Sequence, residues 1–345
     1  MSQTRPASGS TAPASTKTAR KPRILSGMRP TGKLHLGNYL GALQNWVQLQ
    51  DQSENYHMVA DWHTLTTDYQ DVAQIAPNTF EMVVDWLAAG IDPEKSPVFI
   101  QSRIPEHAEL HLIFSMLVTV SRLERNPTVK EQIRDLHLEE TVSYGHLGYP
   151  VLQAADILLY KANLVPVGED QVPHIELTRE IARKFNSLYG EVFPVPEVRL
   201  TKFPRVPGLD GRRMSKSLDN TIYLSDAPEA ILAKVMTAYT DPKKLRANDP
   251  GNPDGCVVFA YHRAFNGENA EAIGVDCRAG RLGCVVNKRN LAAILAEQLR
   301  PFRDRRAELV AHPERVREAL RSGEERARSI AKETMREVRE AMKLP

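Results

Sequence analysis

Short strand-like runs alternate with helix-like segments from Arg23 to about residue 190. The runs RILSG, YHMVAD, SPVFIQS and ANLVPV are each followed by a segment with helical spacing of apolar residues, ending with PHIELTREIARKFN. Strands separated by helices of this length pair in parallel, and the helices then cover both faces of the sheet. The sequence therefore predicts an α/β domain with a doubly wound parallel sheet over residues 22–205.

The two ends of the chain have a different character. After about residue 225 the segments PEAILAKVMTAY, KRNLAAILAEQLRPFRDRR and EERARSIAKETMREVREAM predict helices only, so we expect a second, all-helical domain over residues 206–345. Residues 1–21 are rich in Ser, Thr, Ala and Pro, are basic and contain no acidic residue. This composition predicts a disordered N-terminal extension, and an organelle transit peptide shares it.

Composition limits the function classes. The nearly apolar run LIFSMLVTV is far shorter than the roughly 20 residues that a membrane span needs, and no apolar segment follows the first methionine. An odd count of 3 cysteines argues against a disulfide framework and for a reducing compartment. We therefore expect a cytoplasmic protein without membrane contact. The arginine-rich C-terminal segment fits either an RNA contact or a solvated helix.

Polar stretches follow three of the predicted strands. SGMRPTGKLHLGN follows the first strand, DWHT follows the second, and GEDQ follows ANLVPV. Ligands of doubly wound sheets bind beyond the carboxyl ends of the strands, and the N-terminus of a following helix favours an anion. Neither the dinucleotide fingerprint G-x-G-x-x-G nor the P-loop pattern occurs there. The placement indicates a nucleotide site of another kind.

A second polar stretch, GRRMSKSLDN, lies at the predicted domain boundary. Ser215, Lys216 and Ser217 offer hydroxyl and ammonium donors on a glycine- and charge-rich loop. Such donors suit a polyphosphate whose charge grows during group transfer. A basic serine loop alone is more typical of a solvated linker, but together with HLGN at 35–38 it indicates a phosphate site.

These two stretches also carry a family resemblance. HLGN and RMSKS resemble the two signatures of class I aminoacyl-tRNA synthetases, and residues 148–186, from GYPVLQAADILLY to IARKFN, are similar to bacterial-type tryptophanyl-tRNA synthetases. The resemblance runs from about Ile24 to the end of the chain. It implies a Rossmann-like catalytic domain of the HIGH/KMSKS type and a helical domain that reads the tRNA anticodon.

The same resemblance implies a reaction and its partners. The carboxylate of L-tryptophan would attack the α-phosphate of ATP, pyrophosphate would leave, and the aminoacyl group would pass to the terminal ribose of tRNA(Trp). Mg²⁺ would accompany ATP, and the molecule would be a homodimer. Positioning and charge stabilisation would supply most of the rate.

Site residues follow from the positions that match the family motifs. The expected catalytic residues, among which Lys216 would hold the departing pyrophosphate, are His35, Asn38, Lys130, Arg213 and Lys216. The expected ATP-binding residues are Leu25, Ser26, Gly27, Arg29, Gly37, Gly168, Asp170, Met214, Ser215 and Ser217. The expected tryptophan-binding residues are His63, Tyr149, Gln153, Asp156, Ile157, Val165, Val167 and Gln171.

Asp156 is expected to select the side chain of the substrate. It follows Tyr149 by seven residues and therefore lies on the same face of a helix, two turns on. Its carboxylate can accept the indole N–H, the only hydrogen-bond donor of that ring. An acid that merely caps a turn is the alternative, and the apolar context QAADILLY disfavours it.

Three positions depart from the family pattern. Arg213 stands where a lysine is usual, Arg29 where a neutral residue is common, and Gln153 where bacterial enzymes have methionine. With Gln153, the pattern Tyr149-x-x-x-Gln-x-x-Asp156 also matches the way tyrosyl-tRNA synthetases hold their substrate. A tyrosine-specific enzyme and a catalytically weak paralogue with a regulatory or RNA-binding role are therefore the alternatives.

The stretch EHAELH could suggest a metal site. His107 and His111 have the i, i+4 spacing of metal ligands, but no third ligand is evident, and a solvated helix face is the expected structure.

The cysteines pose a separate metal question. The spacing of Cys256, Cys277 and Cys284 is similar to an iron–sulfur site in the helical domain of some family members. Those proteins have a fourth cysteine where this chain has Asn287, so three thiolates would need a ligand from outside the motif.

Overall fold

A five-stranded parallel sheet forms the centre of the molecule. The computed structural model describes residues 21–138, 140–200 and 206–345. The strands are β1 (Arg23–Met28), β2 (Glu54–Val59), β3 (Val98–Ile100), β4 (Leu164–Val167) and β5 (Glu197–Leu200), in the order β3-β2-β1-β4-β5. The predicted doubly wound sheet is confirmed. The predicted disordered extension, residues 1–21, lies outside the described residues except for Lys21.

Helices connect the strands and continue to the C-terminus. Those up to β5 are α1 (Leu36–Asn38), α2 (Gln44–Leu49), α3 (Asp61–Asp68), α4 (Ile75–Ala89), α5 (Glu106–Ser115), α6 (Val120–Glu124), α7 (Pro127–Asp135), α8 (Tyr144–Leu159) and α9 (Val172–Tyr189), with a π-helical turn, Tyr39–Leu43, between α1 and α2. The later ones are α10 (Pro228–Thr237), α11 (Val257–Phe265), α12 (Asn269–Arg278), α13 (Cys284–Gln298), α14 (Arg300–Ala311) and α15 (Pro313–Met342). None of the helices in the described part is long and apolar enough to cross a membrane.

Two hydrophobic cores lie on the two faces of the sheet. Val98 and Phe99 are adjacent in β3 and both fully buried, yet Val98 belongs to one core and Phe99 to the other. Successive side chains of a strand point to opposite faces, so this division shows that helices cover both faces. A near-continuous apolar run such as SPVFIQS is typical of a strand buried on both sides.

The sequence did not reveal β5. Its residues read EVRL, and Glu197, Arg199 and Leu200 are exposed. β5 is an edge strand that pairs only with β4 among the described strands. An edge strand of four residues without an apolar run gives no strand pattern, because neither face of it is deeply buried.

The last helix returns to the sheet. Ala327, Ala331, Met335 and Val338 of α15 are fully buried in the core that also contains Phe99. At Gly323 the helix approaches the strand so closely that an added Cβ would collide with the backbone oxygen of Val98. The helix therefore packs directly on β3 through a face of small side chains.

We expect Gly323→Ala to lower the free energy of unfolding by about 1–3 kcal/mol, the usual penalty for overpacking a core. The new methyl group would collide with strand backbone, which cannot rotate away as a side chain can. Urea unfolding followed by circular dichroism measures the change. Ser322→Ala, one residue earlier on the same helix, is the matched control and should stay within about 0.5 kcal/mol of the parent. Equal stability of the two variants would contradict the close approach.

Candidate active site

A cavity of about 350 Å³ opens at the carboxyl edge of the sheet. The strand order reverses between β1 and β4, which pair at Ile24 and Leu164, so the segments that leave these two strands diverge. Ser26 and Gly27 line the cavity from β1, and Val165 with the residues after it lines it from β4. The topology itself creates the opening.

The cavity gathers most of the residues predicted to bind the amino acid. The eight predicted tryptophan-binding residues all line it: His63, Tyr149, Gln153, Asp156, Ile157, Val165, Val167 and Gln171. Five of the predicted ATP-binding residues join them: Leu25, Ser26, Gly27, Arg29 and Gly168. Trp46, Met58 and Gln132 also line it, although no motif marked them. Their contribution depends on how distant segments pack.

The Asp156 carboxylate is the buried polar centre of this cavity. Its Oδ1 accepts hydrogen bonds from Gln101 Nε2 at 2.8 Å and His107 Nδ1 at 2.7 Å, and its Oδ2 accepts one from His63 Nε2 at 2.8 Å. Burial alone would raise the pKa of Asp156, but the bonds from His107 and His63 outweigh it and hold this pKa below its usual range. The group is therefore a permanent acceptor.

His107 corrects one of our predictions. The EHAELH stretch was expected to be a solvated helix face, but His107 is fully buried in α5. Because the ionised Asp156 can only accept, Nδ1 of His107 carries the proton, and Nε2 accepts from the Tyr160 hydroxyl at 2.8 Å. His111 is half-buried, and burial lowers its pKa. His107 therefore serves the carboxylate, which the i, i+4 spacing alone did not indicate.

A second chain of hydrogen bonds orients the Tyr149 hydroxyl. Asn126 Oδ1 accepts from the Thr128 amide at 3.0 Å, which turns its Nδ2 toward His174 Nδ1 at 3.3 Å. His174 Nε2 must then carry the proton and donate to Tyr149 Oη at 2.9 Å. Burial lowers the pKa of His174 to about 4 and raises that of Tyr149. The Tyr149 hydroxyl proton is thus left for an acceptor in the cavity.

The HLGN turn forms a compact cap at the start of α1. The His35 amide donates to Asn38 Oδ1 at 3.1 Å, and the Asn38 amide donates to His35 Nδ1 at 3.3 Å. Burial and the nearby Lys216 charge lower the pKa of His35 to about 4, so its imidazole is neutral near pH 7. The two polar residues of the motif first act on each other and fix the turn.

The signature loop at 213–217 docks on this turn. Lys216 Nζ donates to the Thr31 backbone oxygen at 2.6 Å, and Gly37 N donates to Met214 Sδ at 3.2 Å. An added Cβ on Gly37 would lie 3.0 Å from the His35 ring and 3.3 Å from Met214, so the close approach favours glycine. Burial lowers the pKa of Lys216 to about 8. Two motifs far apart in sequence therefore meet in space.

The other predicted residues lie outside the cavity lining or at the protein surface. Ser215 and Ser217 hydroxyls lie 2.9 Å apart, while Lys130 and Arg213 are exposed. The cavity lining found in the described residues does not include the following predicted members: His35, Gly37, Asn38, Lys130, Asp170, Arg213, Met214, Ser215, Lys216 and Ser217. Of these, His35, Gly37, Met214 and Lys216 come together where the loop docks on the turn, and Lys216 makes this region beside the cavity cationic.

Arg29 lines the cavity with its charge already paired. Its Nη2 donates to Asp68 Oδ2 at 2.7 Å and also contacts the Thr67 hydroxyl. Both partners lie at the end of α3. Arg29, which departs from the family pattern, is therefore held toward α3.

The cysteines do not form a ligand set for a metal. Cys256, Cys277 and Cys284 are free and half-buried, and the buried Asn287 accepts from His262 Nε2 at 2.9 Å through its Oδ1. Among the described residues, no group of three or more His, Cys, Asp or Glu could hold a metal ion. The residues present do not fit the four-cysteine iron–sulfur site of some family members.

Comparison with known proteins agrees with this geometry. The family model for class I tRNA synthetases (W and Y) matches residues 17–300. The chain is 50% identical over 325 residues to a tryptophan–tRNA ligase of Thermotoga maritima, covering 93% of this chain and 99% of that protein. It is 45% identical over 394 residues to that of Aquifex aeolicus, covering 94% and 100%.

A solved structure gives the same result. Tryptophanyl-tRNA synthetase from Campylobacter jejuni, complexed with ADP and tryptophan, superposes with a TM-score of 0.84 at 33% identity, over 93% of this chain and 100% of that chain. The fold, the cavity and the matches define a class I aminoacyl-tRNA synthetase of the tryptophan and tyrosine group. Within this group, the chain belongs to the tryptophan–tRNA ligase family.

We expect His107→Leu to make tryptophan binding sensitive to acid. Without the His107 bond the pKa of Asp156 rises, because burial is then opposed mainly by His63. A carboxylate with a depressed pKa becomes protonated as the pH falls through that pKa. Asp156 of the variant should therefore lose its charge at a higher pH than Asp156 of the parent. Tryptophan titrations by calorimetry between about pH 5 and 8 should show affinity falling about tenfold at the acid end.

The parent protein should show no such loss from Asp156 over this range. His137→Leu, at a histidine of the exposed surface after α7, serves as the matched control. An acid-insensitive His107→Leu variant would mean that His107 does not keep Asp156 ionised.

Proposed function

We propose that this ligase activates L-tryptophan through recognition of the indole N–H by Asp156. One observation carries the proposal, the ionised Asp156 carboxylate inside a cavity at the reversal point of the sheet. Oδ1 already accepts two bonds, whereas Oδ2 accepts one, from His63. A carboxylate oxygen can accept a further bond, so the indole N–H would join His63 on Oδ2.

The amino acid's polar end would face Gln171 and Tyr149. Gln171 Nε2 donates to Asp170 Oδ2 at 3.0 Å, and Gln153 Nε2 lies 3.5 Å from Gln171 Oε1. We propose that Asp170 and Gln171 hold the ammonium and carboxylate groups. Tyr149 would donate its unused proton to a carboxylate oxygen. This arrangement would aim the carboxylate at the region between Gly27 and the HLGN turn, where the α-phosphate of ATP would lie.

The ATP phosphates would occupy the cationic region beside the cavity. His35 and Asn38 fix the turn, and Lys216 crosses to it from the signature loop. On attack by the substrate carboxylate, the bond between the α-phosphorus and the bridging oxygen breaks and pyrophosphate leaves with the electron pair. Lys216, with Arg213 and Lys130 at the exposed edge, would neutralise that growing charge.

Mg²⁺ would enter as part of the nucleotide complex. The predicted phosphate-side groups are mainly hydroxyls and cations, which do not form a resident site for a divalent ion. The ion would shield charge on the phosphates. Lys216 and the serine hydroxyls remain the protein's own contribution.

The remaining partners extend the proposal. We propose that residues 22–205 form the catalytic domain, that residues 206–345 carry the signature loop and the helices that read the anticodon of tRNA(Trp), and that two copies of the chain form a cytoplasmic homodimer. The dimer is what the family resemblance implies, and the relatives' activity supports the tRNA.

The tyrosine-specific alternative rests on Gln153. The pattern of Tyr149, Gln153 and Asp156 is present and lines the cavity. The relatives matched over more than nine-tenths of the chain are nevertheless tryptophan–tRNA ligases. We therefore propose that Gln153 adjusts the tryptophan pocket, with tyrosine as a competitor to be measured.

Tryptophan-dependent ATP–pyrophosphate exchange tests the function. We expect Asp156→Ala to raise the KM for tryptophan by on the order of 10³-fold or more, because the indole N–H loses its acceptor. The KM for ATP should change little. Asp135→Ala, at an exposed acid of α7, is the control and should behave as the parent. A normal tryptophan KM in Asp156→Ala, or stronger stimulation of the parent by tyrosine than by tryptophan, would contradict the proposal.

Lys216→Ala should lower the kcat of exchange by about 10²-fold, the typical effect of removing one group that stabilises transition-state charge. The KM for tryptophan should stay the same as in the parent, because Lys216 lies outside the cavity lining. Lys33→Ala, which removes an exposed cation two residues before the HLGN turn, is the matched control. If both variants lose the same activity, loss of general positive charge explains the result and the specific role of Lys216 is wrong.

A further inference from the structure

Asp85 is a fully buried carboxylate outside the cavity. It lies on α4, where its Oδ2 accepts the Leu34 amide N–H at 2.7 Å and its Oδ1 accepts Arg306 Nε at 2.8 Å. Leu34 directly precedes His35. Asp85 therefore joins the backbone of the HLGN turn to α14 of the helical part.

Arg306 holds two acids of α4 at once. Its Nε binds Asp85, and its Nη2 contacts Glu81, one turn earlier on the same helix. The Arg306 side chain is 14% exposed and that of Asp85 0%. Burial raises the pKa of Asp85 above its usual value, and the bonds from Leu34 and Arg306 offset this rise only in part. Arg306 thus stabilises the charged form of a carboxylate whose burial disfavours that charge.

The position of Asp85 matters to the phosphate site. Its Oδ2 holds the amide of the residue before His35, and its charge opposes the lowering of the Lys216 pKa by burial. An unpaired carboxylate beside the HLGN turn would repel a polyphosphate. Paired with Arg306, it can hold the Leu34 amide with much of its charge neutralised, although Arg306 also contacts Glu81.

The turn is fixed from its other side as well. The Leu34 backbone oxygen accepts from the Leu224 amide at 2.9 Å, and the Leu36 amide donates to the Ile222 oxygen at 2.9 Å. Residues 34–36 are therefore held between α4 and the segment that follows the signature loop. Asp85 supplies the α4 side of this support.

We propose that Asp85 and Arg306 are a positioning pair, in which Asp85 orients the HLGN turn through Leu34 and Arg306 cancels the charge of Asp85, so that ATP can approach. Apolar side chains of similar volume would stabilise the fold as well as a buried ion pair does, so stability alone does not account for it. The inference rests on the proposed phosphate site. It assigns to α14 a role in ATP binding.

Exchange kinetics on the full chain test the pair. Arg306→Leu leaves Asp85 unpaired and should raise the KM for ATP about tenfold while the KM for tryptophan changes less than about threefold. Arg306→Lys should recover part of the loss. The double variant Asp85→Asn/Arg306→Leu should bind ATP better than Arg306→Leu, because the amide still accepts from Leu34 and the uncompensated charge is gone.

Arg326→Leu is the matched control. This arginine of α15 also links the helical part to the sheet layer, but its hydrogen bonds go to the Pro93 and Glu94 backbone oxygens rather than to Asp85 or the turn. Its ATP KM should equal that of the parent. Thermal unfolding of each variant identifies misfolded protein, and if Arg306→Leu does not fold, Arg306→Gln is measured by the same criteria.

Three results would overturn the inference. They are equal rises of both KM values in Arg306→Leu, a double variant no better than the single one, or an Arg326→Leu variant with the same ATP defect. Failure of the proposed function looks different, because the parent protein would then show no tryptophan-dependent exchange at all.

Discussion

The reversal of strand order between β1 and β4 is the constraint on which the site depends. Every strand in the described sheet runs parallel, so all of their carboxyl ends meet at one edge. At the reversal, the chain leaving β1 and the chain leaving β4 turn to opposite faces and leave an opening between them. The HLGN turn follows β1 and the GEDQ turn follows β4. Both turns therefore lie at the same edge of the sheet.

Buried carboxylates then give the opening its chemistry. Asp156 is held by two histidines and a glutamine, and Asp85 by an arginine and a backbone amide. Each is ionised at a cost that its hydrogen bonds must offset. Asp156 presents an acceptor to the cavity, whereas Asp85 presents one to the backbone of the turn. A buried, hydrogen-bonded carboxylate thus occurs at both places.

Neutral histidines complete the arrangement. Burial lowers the pKa of His35 and His174 to about 4, so neither adds positive charge near pH 7. His174 can then donate one hydrogen bond to Tyr149 and accept one from Asn126. The position of the Lys216 cation near the turn depends on the docked signature loop. Hydrogen-bond direction and charge are therefore set by different residues.

The sequence by itself determined the sheet, its helices and the cavity residues of the local motifs. Hydrophobic periodicity, glycine turns and motif spacing can be read there because they act over short stretches. It did not reveal β5, whose edge position leaves no apolar pattern, and it misread His107 as solvated. Only the tertiary structure decided that His107 serves Asp156 and that Arg306 serves Asp85, across 49 and 221 positions. The physical reason is that burial and pairing of a charge depend on which distant segments pack together. The local sequence pattern does not determine that packing.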